Sequence, residues 1–364
     1  MKIFVASGYG YWGNFNPSDL REGDHQIGGG ETAMVSISRE LAALGHDVTV
    51  FYDVGYFGMY DGVHYLPSNL YTPLACQMEH DVLVSWDNPQ AFRFADRAKL
   101  RVLAFQLNHT EVGALDYSID MYFHPSKWHA ERYHELYPEM DERKSRPRIT
   151  NGIDPTRYNP ATPPERIPHR TIYSSSPDRG LHHLLRIWPK VRMAVSDAEL
   201  HVYYEIDKWL KMVDVMAPPE IVERARIVRE FRANDPEAQG VLFHGGIGQA
   251  QLATEQMKSA VMAYPCDPTQ PTEGFSMTCL EAVTAGCSLV TTDADALQEL
   301  WADAPDVTIL PLPVNDELWV NTVVKLLERD EARPLRDPVQ YYWSTIAQRW
   351  VQEFLECLPT TPSP

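Results

Sequence analysis

Cysteine is scarce in this chain of 364 residues: five in all, at positions 76, 266, 279, 287 and 357, with no CxxC pair among them. An odd number at those spacings excludes a disulfide framework and a zinc site of the paired-cysteine type, and fits reduced thiols. Long hydrophobic runs are missing as well. No apolar stretch approaches the roughly 20 residues that a membrane-spanning helix requires. The first residues enter a strand-like run at once, with no signal-peptide pattern, so a cytoplasmic location is expected. Positive charge is in short supply: 32 Lys and Arg face 50 Asp and Glu, a formal net charge of −18. That field repels phosphate backbones and weighs against nucleic acid as a partner, although a local basic cleft stays open as an alternative. Arg143, Lys144, Arg146 and Arg148 cluster, but such clusters are most often solvated surface. Asn108-His109-Thr110 matches the glycosylation sequon, which without secretion is incidental. There are no internal repeats and no low-complexity segments.

What is present is an alternation of strands and helices. Short apolar runs near Ile3–Ala6, Val48–Tyr52, Val82–Trp86, Val102–Gln106 and Met121–His124 read as strands. A second series lies near Thr171–Ser174, Leu200–Tyr204, Val241–His244, Val261–Tyr264 and Ser288–Thr292. Continuous apolar runs of this length suit parallel strands covered on both faces. Met34, Ile37, Leu41 and Leu44 recur at helical spacing, and Gly45 closes that helix. Between the two series, 154–169 carries Pro155, Pro160, Pro163, Pro164 and Pro168, a density that reads as an extended linker. The expected architecture is α/β, with two doubly wound Rossmann-like domains facing each other across a cleft. The first would span 1–165 and be completed by 338–358. The second would span 166–337. The segment Trp343, Ile346, Ala347, Trp350, Phe354 reads as a last amphipathic helix.

Ligands of such sheets bind beyond the carboxyl ends of the strands, so the loops there are the candidates. The run Pro271–Gly286 holds Glu273 and Glu281, turns helical at about Phe275 or Ser276, and ends on Gly286. A helix N-terminus favours an anion. A carboxylate on each side of it suits a phosphate that carries hydroxyls at both ends, as a nucleotide sugar does. Two ordinary helix-end glutamates explain these sixteen residues equally well. Ser174-Ser175-Ser176-Pro177-Asp178-Arg179-Gly180 follows the first strand of the second series and sets Arg179 at a helix entrance, where a guanidinium can hold a phosphate. A surface salt bridge is the alternative, and the position after a strand and beside serines favours the phosphate role. His244-Gly245-Gly246 follows another strand and suits close approach of a base or ribose. The long loop 7–30 carries Tyr9, Tyr11, Trp12 and Phe15 and ends in Gly28-Gly29-Gly30-Glu31-Thr32 before a helix. Its spacing is not the GxGxxG dinucleotide fingerprint. Trp86 and Asp87 follow one strand. Asn108-His109-Thr110 follow another and make His109 a candidate partner of a sugar hydroxyl, with a structural histidine the more common case. Asp293-Ala294-Asp295 looks like a DxD metal motif, but N-capping of the following helix explains it better, and no metal is assigned.

In this order the segments resemble glycosyltransferase family four, the retaining transferases of GT-B fold. The resemblance runs from Gly28–Thr32 and Leu41–Val50, through Asn151-Gly152-Ile153-Asp154 with Tyr158, to Ser174–Leu181 and Val241–Gly286. It implies transfer of a sugar from a nucleoside-diphosphate sugar, UDP- or GDP-linked, with retention at the anomeric carbon and with no cofactor. By that resemblance Glu273 binds donor-sugar hydroxyls. The N–H groups of Gly274, Phe275 and Ser276 face the sugar and diphosphate, and Glu281 holds the ribose. Arg179, with Ser175 beside it, neutralises the diphosphate. Gly29 and Gly30 close over it, His244 and Gly245 approach the nucleotide, and His109 lies near the donor sugar. Tyr11, Trp12, Trp86 and Asp87 would meet an acceptor, which can be a glycan, a small molecule or a polymer. The final helix crosses back to the first domain. The chain departs from the family at the phosphate segment, where Ser-Ser-Ser and Arg179 stand in place of the usual arginine and lysine pair. The alternatives are a GT-B protein that binds nucleotide sugars or glycans without turnover, and a sugar transferase acting on nucleic acid.

Overall fold

The computed structural model describes residues 1–7, 16–24, 26–110, 118–329 and 335–358. Tyr11 and Trp12, expected at the acceptor, lie outside the described residues. Two compact units divide the chain. One comprises Met1–Leu20, Ile27–Ile153 and Val339–Pro364; the other comprises Arg21–Gln26 and Asp154–Pro338.

The first unit is built on an eight-stranded sheet. Its strands are β1 (Lys2–Ser7), β2 (Asp47–Phe51), β3 (Gly58–Tyr60), β4 (Val63–Leu66), β5 (His80–Trp86), β6 (Ala98–Ala104), β7 (Met121–His124) and β8 (Ser145–Pro147), in the order β3-β4-β2-β1-β5-β6-β7-β8. All pairs are parallel except β3 with β4. Ile3, Phe4, Val5 and Ala6 of β1 are all buried, which is what a central parallel strand covered on both faces requires. Strands β3, β4 and β8, and Val307–Leu310 in the second unit, add to those expected from the sequence; of these, Gly-Met-Tyr and Ser-Arg-Pro at sheet edges carry almost no apolar signal. The helix at the glycine triplet starts earlier than expected. It spans Gly29–Ala43, so Gly29 and Gly30 form its first turn instead of a loop before it, and the Thr32 N–H closes on the Gly28 carbonyl at 2.9 Å.

Helix Trp343–Cys357 completes this unit. Trp343, Ile346, Ala347, Trp350 and Phe354 are buried along one stripe. Trp350 meets Phe123 edge-on with ring centroids 4.9 Å apart, and its indole N–H donates to the Ile149 carbonyl at 2.5 Å. Glu353 pairs with Arg146 at 2.5 Å. The chain enters this helix by pairing backbone with Ile153: the Ile153 N–H donates to the Tyr341 carbonyl at 2.6 Å, and the Trp343 N–H donates to the Ile153 carbonyl at 3.2 Å. Gly152 permits the approach, because a Cβ there would lie 2.7 Å from the Tyr341 carbonyl oxygen and 2.9 Å from the Trp343 ring.

The second unit has six parallel strands in the order β11-β10-β9-β12-β13-β14: β9 (Ile167–Tyr173), β10 (Glu199–Tyr203), β11 (Val241–Gly245), β12 (Ser259–Tyr264), β13 (Ser288–Thr292) and β14 (Val307–Leu310). The expected linker is shorter than its prolines suggest. Asp154 caps a helical turn at Pro155–Tyr158, and β9 already begins at Ile167. Pro168 is tolerated because the pairing of β9 with β12 is irregular there, shifting register between Ser259 and Val261. Among the described residues, no helix is long and apolar enough to cross a membrane.

Candidate functional site

Three loops of the second unit leave the carboxyl ends of neighbouring central strands β9, β12 and β13. The first, 174–180, carries Arg179. Its close is fixed by Gly180, whose φ of +125° few other residues adopt, and whose Cβ, if present, would lie 2.0 Å from the Pro265 carbonyl oxygen. The two loops therefore pack backbone against backbone. Ser174 joins its hydroxyl to that of Thr278 at 2.7 Å, and the Ser175 hydroxyl donates to Tyr264 at 3.3 Å. Arg224, on helix Pro219–Ala233, ties the same pair of loops: one guanidinium nitrogen donates to the carbonyl of Asp178 and, at 2.5 Å, to that of Asp267. Nothing in the sequence marks Arg224, since its partners lie more than forty residues away in both directions.

The second loop, 265–276, delivers Glu273 against Arg179, and the two form an ion pair through Oε1 and Nη1. Glu273 is 1% exposed, whereas the Arg179 side chain keeps 34%. Burial opposes the Arg179 charge, and the Glu273 carboxylate outweighs it, holding the guanidinium above its ordinary value. The Arg179 Nε is buried with no partner. Glu273 thus faces a cation that retains donor capacity for a second anion.

The loop runs into helix Met277–Thr284, near the expected start. Ser276 adopts left-handed φ 72° at its N-cap and offers no side-chain cap. The N–H groups of Gly274, Ser276 and Met277 have no hydrogen-bond partner among the described residues. Such uncapped donors give the helix start its preference for an anion. Phe275 turns its ring the other way, edge-on to Trp301 at 5.8 Å. On the helix, Glu281 is 7% exposed and receives a single long hydrogen bond of 3.4 Å from the Gln256 amide. Burial raises the Glu281 carboxyl above its usual range, against Arg157 and Gln256. Gln256 is oriented in turn by the Tyr158 hydroxyl at 2.9 Å, the aromatic residue of the Asn151–Tyr158 segment. The nearby thiols of Cys266 and Cys279 are pushed up, chiefly by burial, and stay protonated.

The third loop corrects an expectation. Helix Leu297–Trp301 has no side-chain cap. Instead the Asp293 carboxylate accepts from the Leu312 N–H at 2.9 Å, and Asp295 accepts from the N–H groups of Thr272 and Glu273 at 2.8 and 3.0 Å. A left-handed φ of 50° at Asp295 turns its carboxylate back toward the Glu273 loop and away from the helix it precedes.

His244 lies on the edge strand β11, not in a free loop. Its ring stacks on Tyr203 with centroids 4.5 Å apart, and its Nε2 lies 2.9 Å from His201 Nδ1; Gly245 follows it at φ 77°. In the first unit, Trp86 is buried and packs against Trp350 with centroids 6.2 Å apart, so packing with the last helix takes the face expected for an acceptor. Asp87 is likewise engaged. Its Oδ1 accepts from the Gln106 and Leu107 N–H groups at 2.9 and 3.1 Å and from the Thr110 hydroxyl at 3.2 Å. That carboxylate and Tyr133, which accepts from the Thr110 N–H at 2.7 Å, brace the turn on which exposed His109 sits.

One group of the second unit, His182, His183 and Asp267, has the spacing of a cation site. Arg186 donates to His183 Nδ1 at 2.9 Å, which leaves Nε2 as the protonated donor to Asp267 at 2.7 Å. His183 then aims no lone pair at an ion, and the group acts as a brace behind the Arg224 clamp.

Solved structures of glycosyltransferases share this architecture. A glycosyltransferase from Rickettsia africae superposes with a TM-score of 0.68 at 12% identity, over 99% of each chain. AviGT4, a glycosyltransferase involved in avilamycin A biosynthesis, gives 0.65 at 15% identity over 98% of each. Anabaena HepE in complex with UDP gives 0.56 at 13% identity, over 98% of this chain and 97% of that one. The fold is GT-B. Residues 171–329, most of the second unit, match the family described as Glycosyl transferases group 1. Fold and family match together support a glycosyltransferase of GT-B type. No curated protein matches this chain in sequence.

Proposed function

We propose that this GT-B glycosyltransferase moves a sugar from a nucleoside-diphosphate sugar to an acceptor hydroxyl with retention at the anomeric carbon. The observation that carries this reading is the Arg179–Glu273 pair beside the unpartnered N–H groups of Gly274, Ser276 and Met277. A cation, an oriented row of donors and a buried carboxylate within one loop junction match a ligand that presents diphosphate and hydroxyls side by side. On donor binding, Arg179 would exchange a carboxylate for phosphate, and Glu273 would exchange a guanidinium for sugar hydroxyls. Glu281, with carboxylate capacity to spare, would take the ribose diol.

In the reaction the bond from the anomeric carbon to the diphosphate oxygen breaks as the acceptor oxygen bonds to the same face. The acceptor proton passes to the departing phosphate. Negative charge grows on the diphosphate, where Arg179 and the helix N-terminus stabilise it with little reorganisation. In the first unit, Gly29 and Gly30 open a helix whose N-terminus suits an anion in the same way.

The UDP held by HepE makes UDP-sugars the first donors to try, with GDP-sugars alongside. The test is a thermal-shift panel of both, followed by product analysis and the anomeric configuration by NMR. Glu273→Ala is expected to lose about a hundredfold or more in kcat, and Glu281→Gln to raise donor KM about tenfold, the cost of charged hydrogen bonds. Full transfer by Glu273→Ala would sink the assignment, and an inverted product would sink retention.

A further inference from the structure

We propose that Asp295 is the positioning residue of Glu273. This rests on the reading of Glu273 as the ligand of the donor sugar. The backbone of Thr272 and Glu273 is held by three hydrogen bonds from two consecutive residues. Asp295 Oδ2 accepts both N–H groups, at 2.8 and 3.0 Å, and the Ala296 N–H donates to the Glu273 carbonyl at 3.1 Å. Charge-assisted acceptance by a carboxylate is the stronger kind of backbone hydrogen bond. Residues 271 and 272 are exposed and half-buried, whereas the Glu273 side chain is almost wholly enclosed. The dock at 295–296 therefore decides where that side chain enters the unit and how it meets Arg179. Asp295 itself touches neither Arg179 nor Glu281 through any hydrogen bond or ion pair.

The geometry separates this role from two others. Both N–H groups end on the same oxygen, so one amide carbonyl can serve as well as a carboxylate. Asn also tolerates the left-handed φ of 50° at this position, as does Gly; Ala does not. A positioning role therefore predicts that Asp295→Asn works while Asp295→Gly fails, although glycine relieves the backbone. A residue kept only for its backbone conformation predicts that both work. A metal ligand of the Asp293-Ala294-Asp295 type predicts that both fail.

The experiment measures the folded proteins Asp295→Asn, Asp295→Gly and wild type in two ways. With the donor that the thermal-shift panel identifies, Asp295→Asn is expected within about threefold of wild-type kcat, and Asp295→Gly about thirtyfold or more below it. Affinity for the free nucleoside diphosphate should stay within about threefold in Asp295→Asn and fall by less than kcat does in Asp295→Gly, because Arg179, Glu281 and the helix N–H groups of Ser276 and Met277 carry the nucleotide end without Glu273. Hydrogen exchange then reads the hold without any substrate: the Thr272 and Glu273 amides should exchange about a hundredfold faster in Asp295→Gly and be unchanged in Asp295→Asn. Equal exchange in all three proteins would overturn the proposal. So would full activity of Asp295→Gly, or an Asp295→Asn as impaired as Asp295→Gly. If no nucleotide sugar binds the wild type, the donor reading fails while the exchange result still decides whether Asp295 holds Glu273. Should Asp295→Gly not fold, Asp295→Ser, with a shorter reach to the same N–H groups, takes its place with the same expected losses.

Discussion

Asp87 shows how a strand-end carboxylate can serve a loop instead of a ligand. It sits at the carboxyl end of β5 with φ 50°, and three hydrogen bonds converge on its Oδ1. Burial lifts its carboxyl from 3.8 to about 7, against those three bonds. An acid with a raised folded value binds its proton more tightly when folded. Its ionisation therefore costs stability progressively as pH rises from about 4 to about 7, and the loss levels off above that. Asp87→Asn removes that dependence. Relative to the variant, the wild type should lose about 1–2 kcal/mol between pH 5 and pH 8, because the partial exposure of Asp87 lets solvent screen the rest. Urea midpoints of the two proteins at those pH values give the comparison; parallel pH profiles would refute the assignment. Glu281 follows the same sign: its carboxyl is raised by burial, so its charge is carried at some cost to the unliganded protein, as the proposed hold on a ribose would require.

Among the elements, the junction of loops 174–180 and 265–276 is tightly constrained. Gly180→Ala would drive a Cβ into the Pro265 carbonyl and force a left-handed backbone on alanine. About 3 kcal/mol or more of stability should be lost, with Arg179 displaced from Glu273, read as a lower thermal midpoint and weakened nucleotide binding. Wild-type stability in Gly180→Ala would show that the two loops can part. Much of this junction is legible in the sequence. Pro271–Gly286 declares a turn passing into a helix, and the apolar run before Ser174 declares a strand, so Glu273, Glu281 and Arg179 can be placed at strand and helix ends. What joins them is not legible. Asp295 reaches back 22 residues to Glu273, and its sequence pattern imitates a helix cap. Arg224 looks like any charged residue on a helix face, because its carbonyl partners have no side-chain signature. The edge strands β3 and β8 are invisible for a related reason: pairing with a neighbour, not apolar patterning, makes them strands. Trp86 misleads in the opposite sense, since an aromatic residue at a strand end reads as a ligand platform until the distant helix that covers it is known.

For the molecule as a whole, the division into units does not follow the chain. Helix Trp343–Cys357 belongs with residues that precede it by about two hundred positions, as the Ile149–Trp350 contact shows. Truncation at residue 342 would strip Trp86, Phe123 and Ile149 of Trp350 and Phe354. The first unit is expected to lose its cooperative unfolding while the second keeps its own, so limited proteolysis should digest 27–153 and spare 167–329. Trp350→Ala is the milder form, costing about 3–5 kcal/mol by the usual measure for a buried aromatic. Equal protease resistance of both units after truncation would contradict this.

The same placement sets an order of events during synthesis. Residues 154–338 leave the ribosome before the helix that finishes residues 27–153 has been made. Residues 154–338 can thus reach their native state first, while residues 27–153 wait with an apolar groove uncovered until Trp343–Cys357 has been made. Domains usually mature from the N-terminus onward; here residues 27–153 depend on a segment made about two hundred residues later, and a chain halted near residue 340 would leave an orphaned, chaperone-dependent sheet.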